Sequence, residues 1–382
     1  MTVAECAAGF SILLTGVQIV STTAARLRCP APKVARAAAP DAAGVSLIRP
    51  VCGVDNYAEE TLRSSFTLDY PGYELLFCAA RHDDPVIPVL RRLIAAHPGV
   101  PSQILIGDDE ISQNPKLNNC VKGWNAAAHE WVIMADSNVL MPPDYIQRLM
   151  ARYGPGTGLV CSTPIGSRPK GFWAEVECGF LNTLQARWQY AAEAIGFGFA
   201  QGKSMLWRKE TLERAGGIRA LAAEIAEDAA ATKLVRRAGL KVKLVDSPFE
   251  QPLGRRTLPE IWARQVRWAR LRRVTFLPFF LLEIFTGSLL PALSGAYAAS
   301  LLGYDPLLTG LVIAAIFMAC EVQLALAAGW RLSFGSLAAW LARDLMLPVL
   351  FASALLTNEF VWRGNEMTVK EEEAKAVGDG RA

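Results

Sequence analysis

The sequence predicts an α/β domain on a mostly parallel sheet, carried between an N-terminal transmembrane helix and C-terminal transmembrane helices. Three observations support that class. Hydrophobic residues make up 52% of the 382 and charged residues 20%, with a mean hydropathy of +0.23. This is too apolar for a chain wholly in water and too polar for a bundle of spans. Long apolar runs stand at both ends, and between them short β-type runs alternate with helical patterns, as in parallel strands joined by crossover helices.

Residues 7–25 form a nearly unbroken apolar run, long enough at about 1.5 Å per residue to cross a hydrocarbon core of about 30 Å. A cleaved signal peptide is the alternative, but Glu5 and no Lys or Arg precede the run, whereas a signal opens on basic residues. The cations come afterwards, at Arg26, Arg28, Lys33 and Arg36. By the positive-inside rule the amino terminus lies outside and the following domain in the cytoplasm. The expected order is an anchor over 1–28, an Ala/Pro-rich linker over 29–43 and a folded domain over 44–253. Candidate strands in that domain are 45–49, 74–80, 103–107, 131–136, 159–163 and 241–246. Residues 254–275 hold Arg255, Arg256, Arg264, Arg267, Arg270, Arg272 and Arg273 with Trp262 and Trp268. A basic, Trp-bearing helix of this kind belongs at the cytoplasmic membrane surface. The membrane region, 276–357, contains candidate spans at 276–302, 306–328 and 336–356. Arg343 and Asp344 interrupt the third, which reads as re-entrant or interfacial. A polar tail occupies 358–382; two full spans and one interfacial helix would place it inside, where Arg363 favours it.

Several function classes fall away. Thirty-nine basic residues against 36 acidic ones leave +3, not the lopsided basic field of a nucleic-acid binder. Eight scattered cysteines, with no C-x-x-C and no zinc spacing, give neither a structural zinc site nor a disulfide framework. The first strand runs into Pro50-Val51-Cys52-Gly53-Val54-Asp55, which is no dinucleotide fingerprint. Gly202-Lys203-Ser204 is preceded by Phe197 where the first glycine of a Walker A loop would stand.

What remains is a series of polar motifs at strand ends. Arg81-His82-Asp83-Asp84-Pro85 follows the second strand, Asp136-Ser137-Asn138 follows the fourth, and Glu227-Asp228 opens a helix. Arg264-Gln265-Val266-Arg267-Trp268 lies on the basic helix. Each has a plain reading: Asp before Pro caps helices, acids suit a helix amino terminus, and Arg/Trp pairs anchor to membranes. Asp136 is harder to dismiss, because a carboxylate ending a strongly apolar strand is costly unless it meets a cation or donors. In this order the four motifs resemble the inverting family 2 glycosyltransferases. Residues 49–55, Leu68-Asp69-Tyr70-Pro71, Asn114-Pro115-Lys116-Leu117-Asn118-Asn119, Ile225-Ala226-Glu227-Asp228 and the R-x-x-R-W of Arg264, Arg267 and Trp268 are similar to the ceramide glucosyltransferases. The similarity runs from residue 45 to Trp362-Arg363-Gly364.

That resemblance implies a GT-A-like domain, UDP-glucose as donor, a divalent cation (Mg or Mn) and ceramide in the lipid bilayer as acceptor. It implies inverting transfer at the cytoplasmic leaflet, in a bacterial inner membrane, with no nucleic acid and no protein partner indicated. By the same resemblance, Asp228 is the base with Glu227 beside it, Asp83 and Asp84 meet the uridine, and Lys116 lies near the diphosphate. Asp136 is the candidate metal ligand, with Asn138 where the wider family has a second aspartate. Arg264, Arg267 and Trp268 would close over the pyrophosphate and the acceptor entrance. The aromatics of 172–199 form either a lipid groove or ordinary core. Glu283 and Glu321 fall inside candidate spans, where an acid is paired or functional. Three alternatives stay open: the same mechanism with a hopanoid or diacylglycerol acceptor or another UDP-sugar, a non-catalytic scaffold, and a processive polysaccharide synthase. The last would be expected to have more spans and Gln at position 264.

Overall fold

A computed structural model describes residues 2–33, 37–362 and 365–368. Arg36, Arg363, Gly364 and the tail from 369 lie outside the described residues. The chain opens on α1 (Val3–Arg28). Its start is closed by a reciprocal cap, in which the Thr2 N–H donates to Glu5 Oε2 (2.8 Å) and the Glu5 N–H to Thr2 Oγ1 (3.2 Å).

Next come β1 (Val45–Val51), α2 (Ala58–Arg63), β2 (Tyr73–Ala79), α3 (Val86–Ala96) and β3 (Ser102–Ile106). They are followed by α4 (Pro115–Ala126), β4 (Trp131–Ala135), α5 (Tyr145–Met150), β5 (Thr157–Ser162) and β6 (Pro164–Lys170). After α6 (Phe172–Gly179), a π-helical turn (Phe180–Ala186) and α7 (Arg187–Ala194), the sheet resumes. There follow β7 (Ser204–Arg208), α8 (Lys209–Glu213), α9 (Glu227–Arg237), β8 (Lys241–Leu244) and β9 (Phe249–Arg255), the last pairing with β6 in a separate two-stranded sheet. The six expected strands all form, and β6, β7 and β9 are additional.

The chain divides into two compact units. One holds residues 32–168 and 192–254, the other 1–31, 169–191 and 255–382. The single domain expected over 44–253 is therefore interrupted, since 169–191 fold with the membrane helices. In the α/β unit the sheet order is β3-β2-β1-β4-β7-β5-β8. Strands β1 to β4 pair in parallel, with Leu47 opposite Leu75 on one side and Ile133 on the other. Strand β7 runs antiparallel to both neighbours. Every residue of β1 is buried, as a strand covered on both faces requires. Strand order reverses between β1 and β4, and ligands of such sheets bind beyond the carboxyl ends of the strands at that reversal.

The membrane unit continues with α10 (Leu258–Thr275), α11 (Leu277–Leu282), α12 (Leu289–Leu302), α13 (Pro306–Ala328) and α14 (Phe334–Leu356). A short pair, β10 (Glu359–Trp362) and β11 (Asn365–Thr368), follows. Helices α1, α13 and α14 are each long and apolar enough to cross a membrane. The interruption expected in the third C-terminal span falls instead on the first: 276–302 breaks into α11 and α12, bent by 51°, where polar Glu283, Thr286 and Ser288 punctuate the run. Helix α14 is continuous because its charges are neutralised in place. Arg343 is fully buried and donates to Glu321 (2.8 Å), to Asp344 (2.7 Å) and to Thr183 Oγ1 (2.9 Å). Asp344 also accepts from the N–H (2.8 Å) and hydroxyl (2.6 Å) of Ser288. Glu283 is paired as well, with Arg272 Nη2 at 2.8 Å.

Candidate active site

At the carboxyl edge of the sheet, two helix amino termini bring charged side chains together. Asn114 caps α4, its Oδ1 accepting from the backbone N–H of Lys116 (2.9 Å) and Leu117 (3.2 Å). The Nδ2 of the same side chain donates to Ile225 O (3.0 Å) and Glu227 Oε2 (2.7 Å). One buried amide thus ties the start of α4 to the start of α9. Lys116 bridges the two, 2.7 Å from Glu227 Oε1 and 2.7 Å from Asp136 Oδ1 at the end of β4.

Asp136 has a second ammonium, Lys203, at 2.8 Å from Oδ2, and Lys203 also donates to Asn138 Oδ1 at 3.1 Å. The neighbouring Asp228 accepts from the Gly202 N–H at 3.0 Å. A Cβ at Gly202 would stand 2.4 Å from Glu227 Oε1 and 2.8 Å from Lys116 Nζ, so any other residue there would displace these two charged ends. The loop after β4 is held from β1. Arg49, fully buried, donates to Asp136 O (2.8 Å) and Val139 O (3.1 Å).

The electrostatics follow from this crowding. Burial alone would raise Asp136, but Lys116 and Lys203 outweigh it and hold the carboxyl well below its ordinary range. Burial likewise opposes the charge of Lys116, and Asp136 and Glu227 reverse that, so it stays an ammonium. Asp228 goes the other way. Burial, then the adjacent Glu227 carboxylate, lift it to about 6 against the pull of Lys116 and the Gly202 N–H.

Of the sequence-predicted residues, Lys116, Asp136, Glu227 and Asp228 are brought together. Asp83 is exposed and paired with Arg81 at 2.6 Å. Asp84 accepts from the N–H groups of Gly53 (3.0 Å) and Val86 (2.9 Å), which orders the loop after β1 and starts α3. Arg264, Arg267 and Trp268 lie on α10 in the membrane unit, where Arg264 pairs with the buried Glu177. Lys203, Gly202 and the positioning roles of Asn114 and Arg49 escape a reading of motifs. Lys203 stands in the Gly-Lys-Ser set aside as a failed Walker A loop.

Among the described residues, no group of three or more His, Cys, Asp or Glu is spaced to hold a metal ion. The residues fit a divalent cation in one form only. Asp136, whose oxygens pair with Lys116 and Lys203, would supply a single carboxylate and a bound ligand's phosphate oxygens the rest, as is common for Mg²⁺.

Residues 12–375 match the model of glycosyl transferase family 21. Ceramide glucosyltransferase 3 of Caenorhabditis elegans is 30% identical over 332 residues, covering 84% of this chain and 72% of the relative. Ceramide glucosyltransferase 1 of the same organism is 29% identical over 335 residues, 86% of this chain and 72% of the relative. Among solved structures, a mannosyltransferase from Pyrobaculum calidifontis is a looser likeness, with 18% identity, TM-score 0.48, and coverage of 90% of this chain and 99% of that one. With a mostly parallel seven-stranded sheet, a charged cluster at its switch point and a family match spanning most of its length, the chain belongs to glycosyl transferase family 21 and is a membrane glycosyltransferase.

Proposed function

We propose that the protein transfers glucose from UDP-glucose to the primary hydroxyl of ceramide, inverting the anomeric centre, at the cytoplasmic leaflet of a bacterial inner membrane. The observation that carries the mechanism is the pairing of a carboxyl raised to about 6, Asp228, with an ammonium-rich edge made by Lys116 and Lys203. Names of the relatives support the sugar and the acceptor; the arginines of α10 support the leaflet.

Inverting transfer is one displacement. The acceptor oxygen bonds to the anomeric carbon as the bond to the diphosphate breaks, and the acceptor's proton passes to Asp228 Oδ. Lys116 and Lys203 neutralise the negative charge that develops on the leaving diphosphate, where fixed cations act most strongly. Asp136 orients both ammoniums, and it is the side chain that would hold a divalent cation, whose Lewis acidity would add to the stabilisation of the leaving group. Asp83 and Asp84 are assigned to the uridine. Arg264 and Arg267, whose guanidinium forks suit phosphate, are assigned to the pyrophosphate and Trp268 to the acceptor entrance. Incubating the purified chain with several UDP-sugars and a total lipid extract, followed by mass spectrometry of the products, tests the proposal. Glucosylceramide is the expected product. A different glycolipid, or none beside an intact donor, would overturn it.

A further inference from the structure

Helix α7 ends in a Schellman cap. Gly196 takes the left-handed region (φ 88°), its N–H donating to Glu193 O (3.0 Å) and the Phe197 N–H to Ala192 O (2.8 Å). The apolar residue after such a glycine ordinarily packs back on its own helix. Phe197 instead is 57% exposed, and Ile195, on the other side of the glycine, is 72% exposed. Among the described residues of the α/β unit, the other exposed large apolar side chains are Val54 and Ile106. Such residues need no explanation when scattered singly, but two share this one turn.

The turn is fixed in place beside a basic segment. Arg236 Nη2 donates to Phe197 O (3.2 Å) and Gly198 O (3.1 Å). Gly198 lies so close to β8 that a Cβ there would stand 2.2 Å from Val242 O. Segments 192–198 and 236–243 therefore sit side by side, and they carry Arg236, Arg237, Lys241 and Lys243 against a single acid, Glu193. That acid is buried and faces Arg152 (3.5 Å) and Lys243 (3.6 Å), while Arg236, Arg237 and Lys241 are exposed. Chain continuity sets the depth of the turn. Within the membrane unit, the ring of Tyr190 lies 5.6 Å from the guanidinium of Arg28, at the basic end of α1, where a span meets head groups. Ile195 comes five residues after Tyr190, and about 1.5 Å per helical residue keeps it within about 8 Å along that helix.

We propose that the turn 195–197 is a membrane contact of the α/β unit, in which Ile195 and Phe197 enter the head-group region of an anionic leaflet and Arg237 and Lys241 meet its phosphates. An apolar tip flanked by cations is the composition that binds a bilayer surface. Two apolar side chains ringed by cations are far too small for a stable protein interface, which buries about 1,200–2,000 Å². The contact pins β8, an edge strand of the seven-stranded sheet, to the head groups.

The test uses the full chain in liposomes of phosphatidylcholine with and without phosphatidylglycerol. The photocrosslinking variant Phe197→benzoylphenylalanine is compared with Ile106→benzoylphenylalanine, on β3 at the opposite edge of the sheet, and adducts are identified by mass spectrometry. Irradiation is expected to join position 197, and not 106, to phospholipid. Omitting phosphatidylglycerol, or adding Arg237→Gln/Lys241→Gln, should lower the yield about fivefold or more, the weight of one basic residue at an anionic surface. No lipid adduct at 197, equal adducts at both positions, or a crosslink to a second copy in place of lipid overturns the proposal. The contact does not depend on the transfer reaction. A chain that forms the adduct but glucosylates nothing sinks the proposed function alone, and one that glucosylates ceramide without the adduct sinks the contact alone.

Discussion

A base serving near neutral pH works best with a pKa close to the working pH, and burial beside Glu227 lifts Asp228 to about 6. Below that value Asp228 is protonated and cannot accept the hydroxyl proton, so turnover should rise with pH through a limb near 6. Glu227→Gln removes the like charge and should move the limb to lower pH. Asp228→Asn should lower single-turnover rate about 10²–10⁴-fold while UDP-glucose affinity changes only a few-fold. A pH profile identical in wild type and Glu227→Gln would break the assignment. Lys203 makes a separate prediction. Lys203→Met deletes a cation from the diphosphate edge and should weaken UDP binding about tenfold or more, since hydrogen bonds to charged groups are worth about 1.5–3 kcal/mol; unchanged calorimetric affinity would remove it from the site. The acidic half of the cluster was legible in the sequence, because Asp136 and Glu227-Asp228 stand where strands and helices meet. Lys203 and the roles of Asn114 and Arg49 were not, because each acts on a segment far away in the chain, and only folding reveals the partner.

The alternation of strands and helices disclosed the parallel half of the sheet almost completely. Strand β7 was missed for a physical reason: it is short, runs antiparallel to both neighbours, and follows helices that fold largely with the membrane unit, so the strand–helix alternation of a parallel sheet gives no cue. Within the membrane region, length and hydropathy located the helices but misplaced the break. Apolar counting penalises Arg343 and Asp344 without knowing that Glu321, Thr183 and Ser288 meet them. Taking one charge from that network should be worse than its surface equivalent. Arg343→Leu leaves Glu321 and Asp344 buried and unpaired and should cost about 3–5 kcal/mol, read as a clear drop in the thermal midpoint of the detergent-solubilised protein. An unchanged midpoint would mean that the spans do not depend on the ion pair.

At the scale of the molecule, sequence order and folding units diverge, because residues 169–191 leave the α/β unit and fold with the membrane helices. Hydropathy gave no warning, since that segment is aromatic rather than span-like. Chelation acts on the whole reaction cycle. With Asp136 as the one carboxylate available to a cation, EDTA should abolish transfer, while UDP keeps measurable affinity through the two lysines; full activity in chelator would remove the metal. Topology is testable in intact cells. If the bent α11/α12 pair is re-entrant, the tail is cytoplasmic, and a Gly378→Cys thiol should react with an impermeant maleimide only after lysis. Labelling before lysis would make the bent pair a full span.

The Glu321–Arg343 pair also constrains how the protein is made. Glu321 lies on α13 and Arg343 on α14, and the segment between the two helices, 329–333, is short. Helix α14 carries its own counter-charge, Asp344 beside Arg343, whereas α13 released alone from the translocation channel would face acyl chains with Glu321 bare. Retaining α13 at the channel until α14 has emerged would remove that cost, so the ion pair couples the insertion of one helix to the synthesis of the next.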